Sequence, residues 1–154
     1  ADIVVNTDGD NQYPSHLIPA LVRPIIEGRA DIVIGDRRPG GNQEFSWIKR
    51  RLQVLGSGVI QFLTGAPVAD AVSGFRAYSR ESLLKIHVLT NYTYTVDTLI
   101  QAHAKGLEIE WLPIETNLKT RDSRLIKSLF SKVRKSGTTI LRIVTLYKPF
   151  QTFL

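Results

Sequence analysis

Two carboxylates that flank one glycine come directly after a short apolar run near the start of the chain. The run is Ile3–Val5, and residues 6–13 then read Asn-Thr-Asp-Gly-Asp-Asn-Gln-Tyr. Side chains alternate along a strand, so Asp8 and Asp10 are expected to point the same way, and the glycine between them permits a sharp departure from the sheet. These acids and the nearby Gln12 amide oxygen suit a hard divalent cation such as Mg²⁺, which also binds substrate phosphates.

The same composition is also typical of an ordinary turn, because Asp, Asn and Gly dominate turns in general. Taken alone, the stretch does not decide between a metal site and a turn. The decision depends on the elements that position the stretch and on the motifs later in the chain.

Those elements are predicted to form a parallel α/β unit. A helical pattern runs from Pro14 and Ser15 to about Glu27, and residues 31–35 are typical of a second buried strand. Strand, helix and strand in this order indicate a right-handed parallel crossover, and such sheets bind ligands beyond the carboxyl ends of their strands. The acidic stretch and residues 36–38, Asp-Arg-Arg, are therefore expected at one edge.

The rest of the chain is predicted to continue this α/β pattern. Residues 79–82 are typical of the start of a short helix, and Asp97 falls in the first turn of another. The remaining predicted elements are a helix over 46–63, a strand interrupted by glycine over 71–78, a helix over 96–105, a strand over 109–114 and a loop over 117–123.

The last helix, over about 124–148, separates an apolar face from a basic face. Residues 119–148 hold nine Lys or Arg against one acid, whereas the remainder holds 11 basic and 13 acidic residues. This pattern is typical of a helix in a membrane interface. A core-packed helix with a solvated basic back is the alternative, and it has similar weight for the first half of the segment.

Composition sets the outer limits. With 154 residues and 43% hydrophobic content, the chain is one domain or part of one. It contains no Cys, which excludes disulfides and thiolate metal sites, and no Met, so we expect a piece of a longer protein. No apolar run is long enough for a membrane span.

Four segments together resemble the family 2 glycosyltransferases of GT-A fold, especially the polyprenyl-phosphate sugar transferases similar to dolichol-phosphate mannosyltransferase. These segments are Asp-Gly-Asp-Asn-Gln-Tyr at 8–13, Gly-Asp-Arg-Arg at 35–38, Ser-Gly-Phe-Arg-Ala-Tyr at 73–78 and Arg-Asp-Ser-Arg at 121–124. Their order and spacing both fit, over nearly the whole chain.

The resemblance implies a role for each matching residue. Asp8, Asp10 and Gln12 would bind Mg²⁺ or Mn²⁺ and the diphosphate, and Asp97 falls where an acid serves as base in relatives with hydroxyl acceptors. Substrate phosphates would be contacted by a set of basic and hydroxyl residues, with Arg121 also counted as catalytic: Arg37, Arg51, Arg76, Arg121, Ser123 and Arg124.

The implied fold is a partial GT-A (Rossmann-like) α/β fold, a mostly parallel sheet flanked by helices with its N-terminal half missing. Residues 1–118 would belong to the catalytic domain, and residues 119–154 would form a basic amphipathic interface helix. The chain departs from the family pattern because the strand-helix half that binds the base is absent. The loop at 121–124 also lacks a glycine that relatives often carry there.

The implied function is inverting, metal-dependent transfer of a sugar from a GDP- or UDP-sugar to a polyprenyl phosphate at the cytoplasmic face of a membrane. The isolated chain is expected to be inactive and to self-associate through an exposed sheet edge. A nucleotidyltransferase and a non-enzymatic membrane-surface module are the alternatives. No nucleic-acid partner is expected, because the acidic cluster repels polyanions unless a metal is bound.

Overall fold

A computed structural model describes residues 1–9, 11–38, 67–88 and 94–117, with isolated positions at 51, 57, 58, 60, 61, 65 and 145. The predicted helices over 46–63 and 124–148 therefore lie largely outside the described residues, as does the interface segment over 119–154.

The described chain alternates strands and helices. Strand β1 (Ile3–Asn6) leads through a 3₁₀ turn (Ser15–Leu17) into helix α1 (Ile18–Ile26), and strand β2 (Ile32–Asp36) comes next. The later elements are strand β3 (Arg76–Ser79), helix α2 (Arg80–Lys85), helix α3 (Tyr94–Ala104) and strand β4 (Ile109–Pro113). Each strand and α-helix was predicted from the sequence, but the strand predicted over 71–78 begins only at Arg76, and the first turn of the helix predicted from Ser15 is 3₁₀.

The four strands form one sheet in the order β1-β3-β2-β4. Strand β2 pairs in parallel with β4, whereas β3 runs antiparallel to both β1 and β2. Three strands thus point the same way, but β1 lacks the parallel neighbour expected from a simple crossover. The reason is that β3, from much later in the chain, inserts between β1 and β2, and local periodicity carries no information about pairing partners.

Helices cover both faces of this sheet because strand side chains alternate. On β2, Ile32 and Ile34 belong to the core cluster that contains Leu99 and Ile100 of α3. Val33, between them, belongs to the opposite cluster with Leu21 of α1. The result is a layered α/β/α arrangement, which confirms the predicted α/β class. The described sheet is mixed rather than mostly parallel, with one parallel pairing and two antiparallel pairings.

Strands β1 and β2 end at the same edge of the sheet, since both run antiparallel to β3. The described residues of the segments after them, 7–9, 11–12 and 37–38, therefore lie at that edge, as the sequence predicted. We refer to residues 7–12 as the acidic turn.

Candidate functional site

The acidic turn presents Asp8 just beyond β1. The strand ends at Asn6, and Asp8 is exposed. Its carboxylate packs directly against Gly74: a Cβ added at that glycine would come 2.9 Å from Asp8 Oδ2 and 3.1 Å from Oδ1. The absence of a side chain at Gly74 therefore leaves space for the Asp8 carboxylate, and any side chain there would displace it.

Two further side chains connect Gly74 to its surroundings. Asn6 Nδ2 donates to the Gly74 carbonyl oxygen at 3.1 Å and to the Tyr94 hydroxyl at 2.9 Å. Gly74 N–H donates to the Tyr13 hydroxyl at 3.3 Å, and the Tyr13 ring stacks on Phe75 with centroids 5.2 Å apart. The end of β1, the approach to β3 and the start of α3 are thus joined beside Asp8.

Tyr94 stays protonated at neutral pH. Partial burial raises the pKa of its hydroxyl, and the negative charge of Asp8 raises it further. The neutral hydroxyl accepts the hydrogen bond from Asn6 and adds no second negative charge to that of Asp8.

A cleft of about 280 Å³ opens beside the acidic turn. Apolar side chains from Tyr13, Ile18 and Phe75 contribute to its lining together with polar residues. The polar part of the lining consists of Thr7, Asp8, Asn11 and Ser15, with Gly9. A cleft with mixed lining of this kind fits a polar ligand that also has an apolar surface.

Arg37, predicted to contact phosphate, is held by a buried partner. Its Nε donates to Asp70 Oδ2 at 2.6 Å and its Nη2 to Asp70 Oδ1 at 2.9 Å, with the Asp70 side chain only 1% exposed. Burial alone lowers the pKa of Arg37, but Asp70 outweighs it, with contributions from Tyr13 and Asp8, and the pKa is raised overall. Arg37 therefore carries a positive charge that interacts with Asp8, and its two hydrogen bonds to Asp70 fix the orientation of its guanidinium.

Arg76 lies elsewhere than the sequence analysis expected. It is fully buried, and its guanidinium donates to protein oxygens on every side. The acceptors are the carbonyl oxygens of Ser73 (2.8 Å), Thr95 (2.8 Å) and Ala71 (3.1 Å) and the Thr98 hydroxyl (2.7 Å). We call this group the arginine cage. The geometry corrects a phosphate-contacting role to a structural one, because a guanidinium with four protein acceptors and no exposure does not reach a ligand.

Asp97, predicted as a base in hydroxyl-acceptor relatives, is also fully buried in the first turn of α3. Its Oδ1 accepts from Gln101 Nε2 at 2.8 Å. Gln101 in turn bonds the backbone of His87 through both ends of its amide, at 3.0 and 2.6 Å. The structure therefore places Asp97 inside the scaffold that fixes α3, rather than at the cleft.

The remaining predicted site residues are placed only in part. Gln12 belongs to the acidic turn, and Arg51 is exposed at a helical position. Asp10, Arg121, Ser123 and Arg124 lie outside the described residues, so their roles stay predictions.

The donor set of the acidic turn fits a hard cation. Carboxylate and amide oxygens are the ligands such ions take, usually with substrate phosphates completing the shell. Asp8 is exposed beside the cleft, and Gly74 leaves its carboxylate the space it occupies. Within residues 1–9, 11–38, 67–88 and 94–117, no cluster of three His, Cys, Asp or Glu forms a closed metal cage.

Four residues near the site were not predicted to contribute: Asn6, Asp70, Tyr94 and Asn117. Asp70 was treated as part of a connector, and its role depends on a contact 33 positions away. Asn6 and Tyr94 are 88 positions apart. Only the position of Asn6 at the end of a strand, directly before the acids, offered a local signal.

Comparisons with known proteins agree with this geometry. A family model described as "Glycosyl transferase family 2" matches residues 1–86. A dolichyl-phosphate hexose transferase of Haloferax volcanii is 32% identical over 123 residues, 80% of this chain and 54% of that protein. An undecaprenyl-phosphate mannosyltransferase of Micrococcus luteus is 27% identical over 119 residues, 73% of this chain and 48% of that protein.

A solved structure shares the fold. Glucosyl-3-phosphoglycerate synthase from Mycobacterium tuberculosis, in complex with Mn²⁺, UDP-glucose and phosphoglyceric acid, matches with a TM-score of 0.70 at 25% identity. The match covers 94% of this chain and 50% of that one. The chain thus spans about half the length of the relatives it matches.

Proposed function

Because the chain belongs to glycosyl transferase family 2, we propose that the protein transfers a hexose from a nucleotide-sugar to a polyprenyl phosphate, with metal dependence and inversion at the anomeric carbon. The single observation that carries the proposal is the exposed Asp8 carboxylate, seated on Gly74 at the mouth of a cleft. The names of relatives that use dolichyl or undecaprenyl phosphate support the choice of acceptor. Family membership also favours glycosyl transfer over nucleotidyl transfer and over a non-enzymatic module.

Asp8, Asp10 and Gln12 would hold the cation, Mg²⁺ or Mn²⁺. When bound, such an ion neutralises charge that develops on the departing diphosphate. The neighbouring structure with Mn²⁺ and UDP-glucose supports Mn²⁺ and a UDP-sugar as the first pair to test, ahead of a GDP-sugar.

The burial of Asp97 supports an acceptor that is already an anion. A hydroxyl acceptor needs a general base within reach of its proton. Asp97 is fully buried and bonded to Gln101, so it does not offer a base at the cleft. A lipid phosphate is a ready nucleophile and requires no base.

Arg37 would orient the phosphates while it keeps its bonds to Asp70. Two of its donors are committed to that carboxylate, and its charge interacts with that of Asp8. Arg51, Arg121, Ser123 and Arg124 remain the proposed further contacts, with Arg favoured because its planar fork matches phosphate geometry.

Association with an anionic membrane surface, on the cytoplasmic face, is part of the same proposal. It depends on the basic apolar segment over 124–148. No helix among the described residues is long and apolar enough to cross a membrane. Self-association stays a prediction: β1 is an edge strand of the described sheet, and sedimentation of a strict monomer would contradict it.

The test is a transfer assay with the full-length protein. Radiolabelled UDP-glucose or GDP-mannose is mixed with undecaprenyl phosphate or, as a competing acceptor, 3-phosphoglycerate, in Mn²⁺, Mg²⁺ or EDTA. We expect label in the lipid fraction only with metal, and a product of inverted anomeric configuration by NMR. Asp8→Asn and Asp10→Asn should each lower kcat/KM by about a hundredfold or more while the fold is kept, because loss of a carboxylate weakens cation binding.

Glu27→Gln is the matched control, since Glu27 is an exposed carboxylate at the far end of α1 and contacts only Arg23 and Arg29 among the described residues. Its activity should equal that of the unmodified protein. Transfer that persists in EDTA, or an active Asp8→Asn variant, would contradict the proposed metal site and favour the alternative that residues 7–12 are an ordinary turn. Label found only in glucosyl-phosphoglycerate would show that the acceptor is 3-phosphoglycerate rather than a polyprenyl phosphate.

A further inference from the structure

The acidic turn contains a backbone conformation that needs support. Asn11 has φ of 60°, in the left-handed region that favours glycine. Asn tolerates this region better than most residues, but the conformation is still costly without compensating contacts. Asn11 directly precedes Gln12, so its φ sets the direction in which the backbone enters Gln12.

One distant residue contacts the backbone at this point twice. Asn117 donates its backbone N–H to the Gln12 carbonyl oxygen and its side-chain Nδ2 to the Asn11 carbonyl oxygen, both at 2.9 Å. Two consecutive carbonyl groups of the acidic turn are thus bound by a single residue that lies 106 positions from Asn11. We refer to this pair of bonds as the Asn117 clamp.

Strand β4 brings Asn117 to the turn. β4 runs parallel to β2 up to the pair Asp36 and Pro113, and Ile114 N–H continues the ladder to the Asp36 carbonyl oxygen at 2.9 Å. Ile114 then enters the same core cluster as Tyr13, the residue directly after the acidic turn. The segment is therefore anchored in the core three residues before Asn117.

The position of Asn117 in the chain gives the clamp a second consequence. The segment that follows it in the sequence contains Arg121, Ser123 and Arg124, which are expected to contact substrate phosphates. The clamp thus joins the acidic turn to Asn117, the last described residue before that segment.

We propose that Asn117 is a positioning residue for the cation site: it holds Asn11 in the left-handed conformation and so fixes the direction of the acidic turn. This inference rests on the proposed function. Asn117 itself touches neither metal nor substrate in this assignment, and it acts through the backbone of residues 11 and 12.

The first test measures Mn²⁺ binding by electron paramagnetic resonance, with MnCl₂ alone and with UDP added, so that no activity is needed. Asn117→Ala should weaken Mn²⁺ binding by about threefold to tenfold, the range that corresponds to one lost hydrogen bond. Asn117→Asp should weaken it as well, because its carboxylate cannot donate to the Asn11 carbonyl oxygen. Thr116→Ala, at the neighbouring position, is the control and should bind Mn²⁺ as the unmodified protein does.

A double variant distinguishes positioning from a general loss of structure. Glycine adopts positive φ without steric cost, so Asn11→Gly should restore at least half of the affinity that Asn117→Ala loses. A double variant no better than Asn117→Ala would overturn the proposed role of Asn11, and Asn117→Ala with unchanged Mn²⁺ affinity would overturn the positioning role altogether.

Hydrogen exchange gives a readout that does not involve metal. The residue 117 amide should exchange about tenfold faster or more in Asn117→Ala, because its bond to Gln12 loosens when the side-chain bond is lost. If the unmodified protein binds no Mn²⁺ but the residue 117 amide still exchanges faster in Asn117→Ala, the result supports the clamp and contradicts the proposed function. If the amide does not respond, the clamp itself is wrong.

Discussion

The arginine cage and the acidic turn use charged residues from two different motifs of the family resemblance in opposite ways. Arg76 is fully buried with four protein acceptors, whereas Asp8 is exposed and rests on a glycine. A buried polar group without a hydrogen-bond partner destabilises the folded state, so the stability of the fold depends on the arginine cage. An exposed carboxylate costs the fold little, and a ligand can approach it from solvent. Burial, rather than residue type, separates the scaffold from the site.

The two regions meet at residues 73–76. Ser73 gives its carbonyl oxygen to Arg76, Gly74 makes room for Asp8, and Phe75 stacks on Tyr13. The Ser-Gly-Phe-Arg segment thus contacts both the buried scaffold and the acidic turn. Substitutions along it should change stability at one end and ligand binding at the other.

The largest effect on stability is expected from Arg76→Met. The change leaves three carbonyl oxygens and a hydroxyl buried without their donor, and the free energy of unfolding should fall by about 3–5 kcal/mol. Urea denaturation measures it. The control is Arg80→Met, an exposed arginine at the start of α2, which should change stability by less than about 0.5 kcal/mol. A loss below about 1 kcal/mol for Arg76→Met would remove the distinction between the two regions.

Gly74→Ala should produce an intermediate effect, and mainly on ligand binding. The new methyl group would lie 2.9 Å from Asp8 Oδ2, so the carboxylate must move. Because Asp8 is exposed and can move, the free energy of unfolding should fall by only about 1 kcal/mol. The Mn²⁺ affinity should fall about tenfold.

Gly58→Ala is the matched control, since a methyl group added there meets no atom within 4 Å in the described part of the chain. Titration calorimetry with MnCl₂ and a thermal melt on the same samples separate the two quantities. Equal Mn²⁺ affinity in the unmodified protein and Gly74→Ala would show that the position of Asp8 is immaterial to the cation.

The smallest effect is expected from Glu27→Gln, far from both regions. Glu27 is exposed, and hydrogen bonds from Arg23 and then Arg29 lower its pKa below the ordinary value of 4.5. A lowered folded-state pKa contributes stability above the unfolded-state pKa, and this stability is lost as pH falls through the folded value.

Thermal melts at pH 7 and at pH 3 or below test this pH dependence. The unmodified protein should be slightly more stable than Glu27→Gln at pH 7, and the difference should shrink in acid and in high salt. A difference that grows as pH falls would have the wrong sign.

Local patterns in the sequence determined most of the elements and the position of the acidic turn. Ile3–Val5 predicted a strand, the spacing after Ser15 predicted α1, and the acids after a strand predicted a site at its carboxyl end. These features depend on side-chain periodicity and on turn chemistry, both of which act over a few residues. The family resemblance was confirmed by the match over residues 1–86, which contains three of its four motifs.

Only the tertiary structure decided which motif residues are buried in the scaffold and which lie at the surface. Arg76 and Arg37 are both arginines next to strands, yet one is enclosed and the other is oriented by Asp70 near Asp8. The insertion of β3 between β1 and β2 and the clamp from Asn117 to Asn11 were equally invisible in the sequence. The physical reason is common to all of them: burial and pairing depend on contacts between residues tens of positions apart, and a local pattern does not encode them.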